Sequence, residues 1–184
     1  MLKGIVIGLI LAVAILAGGA YCYFSTGMAP VATADPMMPF EKKLANMALR
    51  ARIANQHIGP APIPADEENL VAGAKVYKDH CAACHGFPNQ PATSYDSTMF
   101  PKPTQLFHGK GVTDDPPSES YWKAQNGIRL SGMPSFKTVL TDQQLWQVSQ
   151  LVANADKIPD SAKKILVPDV PPAAAPASKG AAGK

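Results

Sequence analysis

The chain has 184 residues, a formal net charge of +3 and three cysteines. That length holds one ordinary domain with extensions. A charge this small gives no footing for nucleic-acid binding, and an odd cysteine count does not make a disulfide framework. The charge is also uneven: residues 64–160 carry eight basic and eleven acidic side chains, so the positive excess sits in residues 41–52 and in the C-terminal tail.

An uncharged run of twenty residues, Ile5 to Phe24, opens the chain. As a helix it is about 30 Å long, the thickness of a bilayer's hydrocarbon. Tyr21, Tyr23 and Phe24 close it where an aromatic belt would sit, and Lys3 before it directs the N-terminus to the cytoplasm and the remainder outside. The expectation is a single-pass anchor over residues 1–24 in the cytoplasmic membrane, with everything after it on the periplasmic, extracytoplasmic side. A signal peptide cleaved near Gly18, Gly19 and Ala20 is the competing reading. A lipoprotein site at Cys22 is a third, poorly served by Tyr21 just before it.

Residues 25–39 are small, polar and proline-containing, a linker that reaches about 50 Å if extended. Phe40 to Ile58 has helical period, with Phe40, Leu44, Met47, Ala48, Ala51, Ala54 and Ile58 on one stripe. Ala45, Leu49 and Ile53 fall near the opposite side, which places this helix between its own domain and something else. "GPAPIP", residues 59–64, breaks it. A second helix is predicted from Asp66, an N-cap with Glu67 and Glu68 in the first turn, running through Leu70, Ala74 and Tyr77 to Cys81. Residues 87–117 hold six prolines and read as a long loop. A short helix follows Ser118 and stops at Gly127. Another begins at Thr141, where "TDQQ" makes a capping box with Gln144. The expected organisation is an anchor at 1–24, a linker at 25–39, an amphipathic helix with its connector at 40–63, a domain at 64–160 and a Pro/Ala-rich disordered tail at 161–184.

The chemistry centres on "CAACHG", residues 81–86. A structural zinc site wants four N or S ligands, and neither a second cysteine pair nor a spaced pair among His57, His80 and His108 supplies them. A thioredoxin-like pair wants a βαβ setting, and these surroundings are helical. Covalent haem remains. In C-x-x-C-H two thiols add to the haem vinyl groups and the adjacent imidazole reaches the iron, so Cys81, Cys84 and His85 on one helical turn would hold one haem c. The second axial ligand is assigned to Met133 in "NGIRLSGMPSF": Gly132 permits close backbone approach and Pro134 pushes Met133 towards an extended conformation. Met99 and His108 are the rivals, both in the proline-rich loop.

Over residues 64–156 the chain resembles the monohaem class I cytochromes c, in their membrane-anchored bacterial form. The resemblance rests on a helix running into C-x-x-C-H, a proline-rich loop, the Gly-Met-Pro segment and a last helix carrying an aromatic. It implies an all-α fold: a cytochrome c-like haem domain preceded by one transmembrane helix and an extra amphipathic helix. It implies thioether bonds at Cys81 and Cys84, axial ligation by His85 and Met133, and a crossing of the first and last helices near Gly73, Tyr77 and Trp146. It also implies a proline carbonyl supporting His85, with Pro101 and Pro103 as candidates, and contacts to the haem propionates from Arg129 and Trp122.

The function these features predict is one-electron transfer. With both axial positions filled, the iron has no site for a small-molecule substrate, so a carrier is expected rather than an enzyme. Its partners would be the lipid bilayer and either the subunits of a membrane redox complex or, for a tethered shuttle, separate respiratory donors and acceptors. A haem peroxidase or gas sensor with a dissociable Met133 is the reading from another class.

Overall fold

The computed structural model describes residues 2–109 and 112–168. Its ordered elements are helices, and the described residues contain no β-strand beyond one isolated antiparallel bridge between Ile128 and Met133. The chain divides after Asn46 into two compact units.

The first unit begins with α1, Leu2–Ser25, a helix of mean hydropathy 2.5 in its most apolar window. It is long and apolar enough to cross a membrane, and a signal sequence would have the same character. The linker after it is folded back rather than extended: one Asp35 carboxylate oxygen accepts from the backbone N–H groups of both Val31 and Ala32 at 2.9 Å. These bonds hold the Asp35 carboxyl below the usual carboxylate range. The Glu41 carboxylate accepts from the Met38 N–H at 2.9 Å, ahead of α2, Glu41–Ala54. No residue of α2 is buried. The second strip, Leu49 and Ile53, is half-buried, whereas the main stripe at Leu44, Met47, Ala48 and Ala51 is exposed.

The second unit is built on α3, Glu67–His80, and α7, Asp142–Ala153. Each starts where its cap chemistry demands. The Asp66 side chain accepts from Asn69 N–H at 3.0 Å, and Thr141 and Gln144 form a reciprocal capping box. The two helices cross at Gly73, where a Cβ would lie 2.3 Å from the Gln147 carbonyl oxygen. Only glycine lets the backbones come so close. α6, Pro117–Asn126, packs on α7 through Tyr121, whose ring stacks on Trp146 at 4.1 Å. Leu70, Ala74, Tyr77, Leu145, Val148 and Leu151 fill the core between them, and Ile58, Ala61 and Ile63 of the proline-rich connector pack against it.

Two elements differ from expectation. The loop at 87–117 contains α5, Tyr95–Thr98, next to α4, Ala82–His85. α5 lacks a side-chain cap and is too short for a periodic signal. The domain also extends past the expected boundary at 160: α8, Asp160–Ile165, packs on α3, and Ala162 and Leu166 are buried in the core. The Pro/Ala composition that suggested disorder starts only after this helix, and residues 169–184 lie outside the described residues.

Candidate haem site

CAACHG leaves α3 without a break. Cys81 closes α3 by donating its N–H to the Tyr77 carbonyl at 2.9 Å, and its own carbonyl then accepts from Cys84 N–H at 3.1 Å and His85 N–H at 2.9 Å. One turn, α4 with Cys81 as its N-cap, therefore carries both cysteines and the histidine, as the spacing requires. Gly86 ends it with φ +77°, a left-handed conformation that suits glycine. Tyr77 O–H donates to the Gly86 carbonyl at 2.8 Å, so the core of α3 holds the end of the motif. Both thiols are free. Burial, and then the neighbouring Cys84, pushes Cys81 up to about 12, so the thiol is protonated at neutral pH.

His85 is fixed from the far side of the loop. Its Nδ1 lies 2.7 Å from the Thr104 carbonyl oxygen, so Nδ1–H is the donor and Nε2 carries the lone pair. Burial lowers the His85 pKa against the opposing effect of that hydrogen bond, favouring the neutral imidazole that binds metals. The supporting carbonyl was expected from Pro101 or Pro103. It comes from the residue after Pro103, because the chain leaving the two prolines presents the next peptide group to the ring. His108, a rival ligand in the sequence, has its Nε2 2.8 Å from the Phe87 carbonyl and braces the loop instead.

Met133 sits at the end of a tight turn. Ile128 N–H donates to the Met133 carbonyl at 3.1 Å, and the Ser131 hydroxyl donates to the Ile128 carbonyl at 2.7 Å. The glycine that permits this is chiefly Gly127: with φ +67°, its missing side chain leaves room for the Met133–Ser135 backbone, which a Cβ would meet at 2.7 Å. The sequence marked Gly127 only as a helix stop. Gly132, expected to allow close backbone approach, has φ +74° and receives the methyl of Met99, which would lie 2.5 Å from a Cβ there. Met99 caps α5, which contacts α4, and on another side the His80 ring faces Phe136 at 6.1 Å. The segment bearing Cys81, Cys84 and His85 and the segment bearing Met133 are thus joined at two places. Arg129 and Leu130 point into solvent on the turn, and Trp122 is half-buried on α6.

The residues present fit a haem. Two unpaired thiols, an oriented imidazole and a thioether form a c-type donor set. In addition, both amide atoms of Gln105, which lies over Gly86 beside His85, are buried without a hydrogen-bond partner. Buried polar groups are ordinarily satisfied, so this orphaned amide marks a site that a further group completes.

A helix ending in C-x-x-C-H, a histidine held by a carbonyl of the following loop, and a methionine turn before a capped helix that crosses the first at a glycine are the features of a cytochrome c domain. More particularly, residues 68–152, a little under half of the chain, match the family described as cytochrome c oxidase, cbb3-type, subunit III. No curated protein matches the chain. Among solved structures, a chain of the reducing HAO-like protein complex of Kuenenia stuttgartiensis is 26% identical over 51% of this chain and 46% of its own length, with a TM-score of 0.44. This chain therefore spans less than half of that one, and so loose a superposition supports no shared architecture.

Proposed function

We propose that the protein transfers single electrons through one c-type haem, bonded to Cys81 and Cys84 and ligated by His85 and Met133. We place it on the outer face of the cytoplasmic membrane, as a subunit of a membrane redox complex. The observation that carries this reading is the His85 ring: directly after two free thiols, its Nδ1 is committed to Thr104 and its Nε2 is left for iron. When bound, the haem supplies a one-electron couple. The chain's own residues orient it and set its potential. The Thr104 carbonyl fixes the ring's angle and raises the basicity of Nε2. Met133 offers a soft, neutral thioether that favours the reduced iron, and the Gly127 turn fixes where that thioether is presented. Membership of a complex is supported by the matched family, whose description is that of an oxidase subunit. The proposed anchor is α1, whose length and apolarity suffice to cross a membrane.

Haem-stained gels of gently solubilised native membranes test the proposal. On a denaturing gel the stain should stay with the wild-type chain and vanish from Cys81→Ser/Cys84→Ser. On a native gel it should migrate with other subunits. A stain that persists in the double variant refutes covalent attachment, and a haem band migrating as the lone protein leaves the tethered shuttle in place of the subunit.

A further inference from the structure

α2 has no part in the haem site, and its apolar face is uncovered. Phe40 is 72% exposed, Leu44 57% and Met47 60%. At 100° per residue these three share one side of the helix with Ala48, Ala51 and Ala54. Lys43 and Arg50 border that stripe on one flank and Arg52 on the other. The one acidic residue, Glu41, is engaged with the Met38 N–H, and none of the four basic residues has an ion pair among the described residues. A basic helix with a bare apolar stripe is unlike the acidic stretch at 64–160 that follows it. Fifteen residues separate it from α1, and the Asp35 turn shortens even that connection. Even fully extended, this tether keeps α2 within about 50 Å of the bilayer that α1 enters, and that turn draws it closer.

We propose that α2 lies in the headgroup layer of that bilayer, with Phe40, Leu44 and Met47 against the acyl chains and Lys43, Arg50 and Arg52 against anionic lipid phosphates. This is the pattern of an in-plane amphipathic helix: an apolar face that sinks to the acyl boundary, bordered by basic residues that meet negative headgroups. The proposal rests on the retained anchor of the preceding reading, and on nothing about the haem.

The test uses the full-length haem-loaded protein in nanodiscs of phosphatidylcholine, with or without phosphatidylglycerol. Cys22→Ser removes the exposed thiol, and a spin label is attached at Leu44→Cys or, as a control on the other side of the helix, at Ala45→Cys. The label at 44 should relax several-fold more with oxygen, which partitions into lipid, than with a water-soluble nickel chelate. The label at 45 should show the reverse. Phosphatidylglycerol should widen the contrast and high salt should narrow it, since screening weakens the basic contacts. An unchanged haem spectrum shows that the domain is intact. If the label at 44 is as open to the nickel chelate as one at exposed Val139, the proposal is wrong. If it is shielded only in native membranes and not in pure lipid, α2 is a protein interface and the proposal is equally wrong. Intact mass separates the two readings. Should residues 1–24 be missing, the anchor reading fails by itself, and flotation of the processed protein with phosphatidylglycerol vesicles decides α2: it should float at low salt, and failure to do so ends the proposal.

Discussion

Replacing Gly73 with alanine inserts one methyl group where α3 and α7 touch. The new Cβ would lie 2.3 Å from the Gln147 carbonyl oxygen, 2.7 Å from its carbonyl carbon and 3.2 Å from Leu151 Cβ. Comfortable contact begins near about 3.5 Å, so the helices must part by roughly 1 Å. The first two obstacles are backbone, which cannot swing aside as a side chain would. Overpacking of this kind costs about 1–3 kcal/mol and sometimes more, while removing a glycine from a helix interior returns about 1 kcal/mol. With the cost at the upper end, the net expectation is a loss of about 2 kcal/mol, or roughly 8–16 °C in Tm for a domain of this size. Guanidinium unfolding of the haem-loaded protein, followed by far-ultraviolet dichroism and by the Soret band, measures it. A midpoint at or above that of wild type would refute the reasoning: helix propensity would then outweigh the clash, and the α3–α7 contact would not be the close crossing described.

Leu166→Ala should cost about 2–4 kcal/mol, because the side chain is 2% exposed in the core; an effect within error would return α8 to a dispensable tail. Thr141→Ala removes the hydroxyl half of a capping box and should cost about 1 kcal/mol in the same unfolding assay. Burial raises the Tyr77 phenol above its ordinary 10.0, and the Cys81 and Cys84 thiols add to this only until haem is attached. A raised pKa means that the folded state holds the proton more tightly, so this stabilisation is complete below pH 10.0 and declines as pH rises past it. Tyr77→Phe, which leaves the Gly86 carbonyl unpaired, should be about 1–2 kcal/mol less stable at neutral pH. Its stability should also fall less steeply than wild type's in alkali; parallel alkaline limbs would refute the assignment. On the proposed ligation, Met133→Ala should abolish the sulfur-to-iron charge-transfer band at the red end of the oxidised spectrum and lower the potential. An unchanged band would move the ligand to Met99, whose methyl already rests against Gly132.

The cytochrome c domain was legible because its strongest signals are local. Asp66 and the Thr141–Gln144 box name their helix starts within one turn, and both do so in the structure. The C-A-A-C-H spacing places its three side chains on a single turn by helix geometry alone. Where such signals were absent the reading failed or stayed open. α5 has four residues and no side-chain cap. α8 was hidden by the proline- and alanine-rich sequence that follows it. Which apolar strip of α2 is the more covered was beyond the periodic pattern: both strips fit, and the structure half-buries Leu49 and Ile53 while exposing the larger one.

The sequence by itself determined the all-helical class, the starts of α3 and α7, the apolar length of α1 and the residues of the CAACHG turn. Each depends on side chains within a few positions of one another. Tertiary structure alone decided that Thr104 supports His85, that Gly127 makes room for the Met133 turn, that Met99 meets Gly132, and that Ala162 and Leu166 complete the core. The physical reason is the same in each case. Every residue has a backbone carbonyl, so an acceptor of this kind leaves no mark in the sequence. A space that suits only glycine, or an apolar slot, is made by another part of the chain and exists only once the helices have packed.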